Sequence, residues 1–85
     1  FALLPNYPNP FNPATTLTYA VPRQGKVQLR VYDVLGRIVA TLVDEVQPRG
    51  RYRVAFDGTD FASGVYFSRL EFSSRVLTRK MILVK

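Results

Sequence analysis

Oxygen ligands separated by glycine suit a hard cation, and Asp57-Gly58-Thr59-Asp60 has that appearance. Two carboxylates are too few to commit a site, and the distant glutamate that closes a helix-loop-helix calcium loop is absent. A turn in which the aspartate accepts hydrogen bonds from the backbone just ahead explains the same residues, and a turn is the expectation. The chain has no histidine and no cysteine. The usual general base, the commonest metal ligand and the thiolate are therefore missing. The serines have no base beside them, no lysine sits in an activating setting, and no glycine-rich run offers a phosphate cradle. Neither catalysis nor a cofactor or metal is expected.

Charge and aromatic content suggest binding instead. The net charge is +6, with nine arginines against three lysines, which raises an acidic partner such as nucleic acid or a lipopolysaccharide surface. Arg30, Arg51, Arg53, Arg69, Arg75 and Arg79 fall singly within alternating runs. An outward arginine there covers apolar surface with its stem and discourages edge pairing. Solvated strand faces are the expectation, with no nucleic acid. Five tyrosines and six phenylalanines could form a stacking platform for carbohydrate. Most of these rings fall at inward alternating positions and tryptophan is missing, so core rings are expected, and a carbohydrate-binding accessory module is the rival reading.

These residues need a scaffold. Hydrophobic residues make up 47% of the 85-residue chain and charged residues 21%, a globular composition sufficient for one domain over residues 1–85 that buries over ~60% of its unfolded surface. No apolar run approaches the ~18 residues of a membrane span. The opening Phe1-Ala2-Leu3-Leu4-Pro5 has no initiator methionine and no charged leader, and reads as part of a longer protein.

The hairpin over residues 27–43 is the expected core unit. Val27, Leu29 and Val31 alternate with Gln28, Arg30 and Tyr32. Asp33-Val34-Leu35-Gly36 then reads as a type I turn closed by a left-handed glycine. Residues 38–43 are apolar on both registers, which predicts a strand deep in the protein. Residues 1–14 form a proline and asparagine lead-in, packed on the sandwich or linking to it, with one ring docked. Residues 15–85 form the body. Within it, residues 16–21 and 51–56 alternate cleanly, 44–50 reads as a connection, and 65–72 is a strand of undecided orientation in which Tyr66 would bond a backbone carbonyl. Ser73-Ser74 is a turn, and 76–84 is the last strand, with Leu77, Met81 and Leu83 on one face and Arg79 interrupting it. Turns about every ten residues between short strands predict an all-β, immunoglobulin or fibronectin-like antiparallel sandwich of about seven strands, with a small barrel as the alternative.

The order PNPFNP, VQLRVYDVLGRIVATL, ASGVYFSRL and TRKMILVK resembles the type A C-terminal sorting domain of proteins exported by the type IX (Por) secretion system of Bacteroidetes and their relatives. The immunoglobulin-like domain of flagellar hook-capping proteins is a less specific likeness, sharing the VYDVLGR and GVY pieces. The sorting-domain resemblance implies a β-sandwich that follows an N-terminal cargo and carries the address read by the outer-membrane translocon. It also implies a sortase-like peptidase that removes the domain and a cargo that can be joined to an anionic lipopolysaccharide, outside the cell or on its surface. By the same resemblance, Gly64 and Tyr66 are the GxY motif, Lys80, Met81, Leu83, Val84 and Lys85 the basic last strand, and Asn9, Pro10 and Phe11 the N-terminal element. A last strand with lysines near its end offers backbone edges for strand addition. Whether it lies at an edge or inside the sandwich is open at this stage.

Overall fold

Seven strands run through residues 1–85 of the computed structural model: β1 (Ala2–Leu3), β2 (Ala14–Val21), β3 (Gly25–Tyr32), β4 (Ile38–Gln47), β5 (Gly50–Asp57), β6 (Gly64–Phe72) and β7 (Arg75–Leu83). There is no helix. All strand pairs are antiparallel, and they form a three-stranded sheet in the order β1-β2-β5 and a four-stranded sheet in the order β4-β3-β6-β7. The fold is a β-sandwich.

Alternation builds the core. Leu17, Tyr19 and Val21 of β2 face Val27, Leu29 and Val31 of β3, and all six are buried. On β6 the inward set is Tyr66, Ser68, Leu70 and Phe72, each buried, while Val65, Phe67, Arg69 and Glu71 point outward and are half-buried. That settles the orientation which pattern left undecided. Each fully buried aliphatic or aromatic side chain contributes about 1.5–3 kcal/mol. The Tyr19 hydroxyl donates to Gln47 Oε1 at 2.6 Å, tying the two sheets together, and burial pushes its phenol above the ordinary value.

The loops follow their sequence signals. In the β3–β4 turn Gly36 has φ 79°, its N–H donates to Asp33 O at 3.0 Å, and Asp33 Oδ1 accepts from the backbone of Leu35 and Arg37. Asp57 Oδ1 accepts from Thr59 N at 2.9 Å, the turn expected at that place. Ser73 and Ser74 both have positive φ, as a tight two-residue hairpin requires.

Two expectations are overturned. β4 is an edge strand, not a deep one: only Val43 and Gln47 are buried, and Ile38 is 53% exposed. The cause is two register shifts opposite β3, where Leu29↔Val43 is followed by Arg30↔Thr41, and Val31↔Ala40 by Tyr32↔Ile38. Each skipped residue inverts the parity of the strand, so apolar residues on both registers mark bulges here and not burial on both faces. Residues 44–50 are likewise not a connection: β4 runs on to Gln47, and only Pro48 and Arg49 join it to β5.

Candidate functional site

Proline dictates the geometry of the lead-in, because it has no N–H and keeps the preceding residue extended. The chain first follows β2: Leu4 N donates to Thr18 O, and Tyr7 and Thr16 exchange backbone bonds at 3.0–3.1 Å. Asn6 is buried there, its Nδ2 donating to Pro8 O and to Thr15 Oγ1, while the Thr15 hydroxyl donates to Pro8 O at 2.8 Å. Beyond Pro8, in a stretch whose Tyr7-Pro8, Asn9-Pro10 and Asn12-Pro13 bonds are cis, the chain leaves the three-stranded sheet and joins the other. Phe11 N donates to Ile82 O at 2.9 Å, and Val84 N donates to Phe11 O at 3.0 Å.

Asn9 extends this pairing with its side chain. Its Nδ2 donates to Lys80 O at 3.3 Å and its Oδ1 accepts from Ile82 N at 3.0 Å, so the amide stands in for a peptide unit beside β7. The last strand thus lies at the edge of its sheet, but from Lys80 to Val84 that edge is already occupied by Asn9 and Phe11 of the same chain. A strand added by a receptor would have to displace them. No strand pairs with the outer edge of β7 over residues 75–79. Arg79, which breaks the apolar pattern, reaches across to β1 and donates from Nε to Leu3 O at 2.8 Å.

A chain of rings lies beneath this corner. Phe11 is 1% exposed and meets Phe56 edge-on at 5.9 Å; Phe56 stacks on Phe61 at 5.7 Å, and Phe61 leans on Tyr66 at 6.3 Å. The Tyr66 hydroxyl donates to Ala62 O at 2.6 Å. Across the β6–β7 ladder Tyr66 faces Met81, and Gly64 faces Leu83. Gly64 has φ 152°, a backbone that L side chains rarely adopt, although a Cβ would meet nothing within 4 Å. Its role is conformational.

The 58–63 loop, which contains the turn expected at residues 57–60, closes the corner, a role that the sequence did not suggest. Gly58 N donates to Pro13 O at 2.8 Å, and a Cβ on Gly58 would lie 2.9 Å from Leu83 Cδ2 and 3.1 Å from Pro13 O, so a side chain there would have to push Leu83 aside and crowd the Pro13 carbonyl. Lys85 N donates to Ser63 Oγ at 3.0 Å, and Lys85 Nζ donates to Thr59 O. The Thr59 hydroxyl and N–H, aided by the nearby Lys85 charge, hold the Asp57 carboxyl below its ordinary pKa.

The residues singled out from sequence therefore converge on one corner and divide by exposure. Phe11, Tyr66, Met81 and Leu83 are buried, while Asn9, Pro10, Gly64, Lys80, Val84 and Lys85 are exposed. Asn6, Thr15, Gly58 and Ser63 belong to the same corner and were missed. Asn6, between Pro5 and Tyr7, shares the lead-in pattern, while Thr15, Gly58 and Ser63 carry no local signal for this role. The eleven aromatic rings leave little for a stacking platform: Phe11, Tyr19, Phe56, Tyr66 and Phe72 are buried, and Phe1, Tyr52 and Phe61 pack against the core.

Fold and corner together define a small all-β module in which an N-terminal proline-rich element is hydrogen-bonded onto the last strand. The chain matches the family described as the secretion system C-terminal sorting domain over residues 6–85. It belongs to that family, whose members are sorting signals of the type IX system and not catalysts. No curated protein and no solved structure matches it.

Proposed function

We propose that residues 1–85, lead-in and sandwich body acting as one module, form the signal by which an N-terminal cargo in the same chain passes through the type IX outer-membrane translocon, to be released or held at the cell surface. The family match over residues 6–85 carries this reading. A sortase-like peptidase and an anionic lipopolysaccharide are the partners of the later steps.

The geometry supports reading of a folded corner over capture of a loose strand. The backbone edge from Lys80 to Val84 is satisfied from within, so a receptor meets side chains there: Lys80, Val84 and Lys85, with Asn9 and Pro10 beside them. Phe11, Gly64, Tyr66, Met81 and Leu83 hold that surface in shape. Access also favours it. Phe1 packs on Phe72 at 5.8 Å beneath the Arg75 guanidinium, next to the β6–β7 turn, whereas Lys85 lies beside Ser63 at the other end of a body 37 Å long. A cargo preceding Phe1 leaves the corner open.

Deleting residues 81–85 is a poor test, because Met81 and Leu83 are core residues and the deletion unfolds the sandwich. The informative variant is Lys80→Ser, Val84→Ser and Lys85→Ser in a reporter fusion expressed in a host with the type IX system. Surface changes of this kind shift stability by about 0.5 kcal/mol or less each. The expected result is a folded fusion retained inside the cell. Undiminished export would remove this corner as the address.

A further inference from the structure

The outer face of the four-stranded sheet carries two adjacent rows that share only Lys80 with the sorting corner. One row runs Ile38–Tyr32–Phe67–Lys80 across the four strands, and the next outward-facing row runs Thr41–Arg30–Arg69–Thr78, about 7 Å away along the strands. Two of the arginines that fall singly along the sequence are brought together by the fold: Arg30 and Arg69 are direct cross-strand partners. Like charges directly opposite each other destabilise a sheet.

Nothing within the chain fully relieves that pair. The Nε atoms of Arg30 and Arg69 are shielded and lack a hydrogen-bond acceptor. Glu71 Oε1 comes within 3.1 Å of Arg69 Nε, outside hydrogen-bond geometry, and gives an ion pair only. Asp44, whose carboxyl feels the Arg30 charge, is engaged by Lys26 at 3.2 Å and Gln28 at 3.2 Å. Beside the arginines, Tyr32 and Phe67 form a half-exposed aromatic pair, with the Arg69 guanidinium 5.9 Å from the Tyr32 ring centre. Arginine and aromatic residues at the centre of a flat surface are what protein–protein hot spots are made of.

We infer that this face is a docking surface for a protein of the export machinery that presents a carboxylate to Arg30 and Arg69 and apolar groups to Tyr32, Phe67 and Ile38. The inference rests on the sorting reading and places a second contact on it, away from the last strand's end. The occupant is acidic because the two adjacent guanidinium groups have one carboxylate, Glu71, paired with them, and a second carboxylate laid across their outer ends offsets the remaining charge. A second copy of this chain would bring the same two arginines against them, in a molecule of net charge +6, and does not fit.

The test is a reporter fusion carrying Arg30→Gln and Arg69→Gln, with Phe67→Ser as a second variant and Arg51→Gln with Arg53→Gln as the control. The control makes the same charge change on exposed positions of the other sheet. Export of the face variants should fall about tenfold or more, as the loss of one interfacial hot spot gives. The thermal midpoint of the Arg30→Gln and Arg69→Gln fusion should hold or rise, because a like-charge pair has been removed, and the control should export normally. Normal export of both face variants beside a wild-type fusion that exports would overturn the docking face and leave the sorting reading standing. A wild-type fusion that never leaves the cell would overturn both. Binding of the wild-type chain, but not the arginine variant, to phosphatidylglycerol vesicles would assign the face to lipid and overturn the protein partner.

Discussion

Asn9 and Phe11 hold the last strand by different means, and their substitutions should separate. Asn9→Ala removes two side-chain bonds at an exposed edge, where water replaces them. The expected loss is about 1 kcal/mol, and the more specific readout is faster hydrogen exchange at the Ile82 amide, with the core amides of β3 unchanged. Phe11→Ala empties a fully buried site against Phe56 and should cost about 3–5 kcal/mol in a denaturant titration. Three aspartates at the surface, Asp33 half-buried and Asp44 and Asp57 exposed, also set the acid response. Asp33, bonded first by the Arg37 N–H, Asp44, bonded by the Gln28 amide, and Asp57, bonded by the Thr59 hydroxyl, all have carboxyl pKa values lowered in the folded state. A lowered folded pKa means that the unfolded chain binds protons first as the pH falls. The stabilisation is complete above the ordinary carboxylate value of about 4 and is lost as the pH drops through the folded values. The thermal midpoint should be flat from about pH 5 to neutrality with respect to these groups, and fall below about pH 4.

Strand order shows where sequence reading works and where it stops. The period-two alternation of residues 27–31 and 52–56 identifies β3 and β5 and their buried faces, because one face of each strand is solvated or shielded throughout. β4 defeats the same reasoning: its two bulges invert parity at Leu42 and Val39, and a bulge is a property of the pair of strands, not of either sequence. β1 has only two residues, too few to show any period. The corner around the last strand is legible as motifs but not as a place. What joins it is Asn9 to Lys80 and Ile82, and Phe11 to Val84, contacts some seventy residues apart that no local pattern encodes. The edge position of β4 has a testable consequence. Val46→Lys, at a residue 58% exposed, should change stability by about 0.5 kcal/mol or less, whereas Val31→Lys, at a fully buried position of β3, should abolish folding. Equal effects of the two in thermal melts would contradict the strand order.

Across the whole molecule, the two ends do different work. Phe1 packs against Phe72 near the Ser73-Ser74 turn, and the corner built from Asn9, Phe11, Gly64, Tyr66 and the last strand lies at the other end. Exposed Val34 and Leu35 also project from the β3–β4 turn, where Asp33 and Gly36 alone account for the turn geometry. The central claim is that the folded module is sufficient as an address. Its most direct test fuses residues 1–85 behind a periplasm-directed reporter and follows the reporter by fractionation in a type IX-competent strain and in an isogenic strain lacking the outer-membrane translocon. The reporter should reach the medium or cell surface only in the competent strain and only when the module is attached. Reporter confined to the periplasm of both strains, or exported equally from both, would contradict the account.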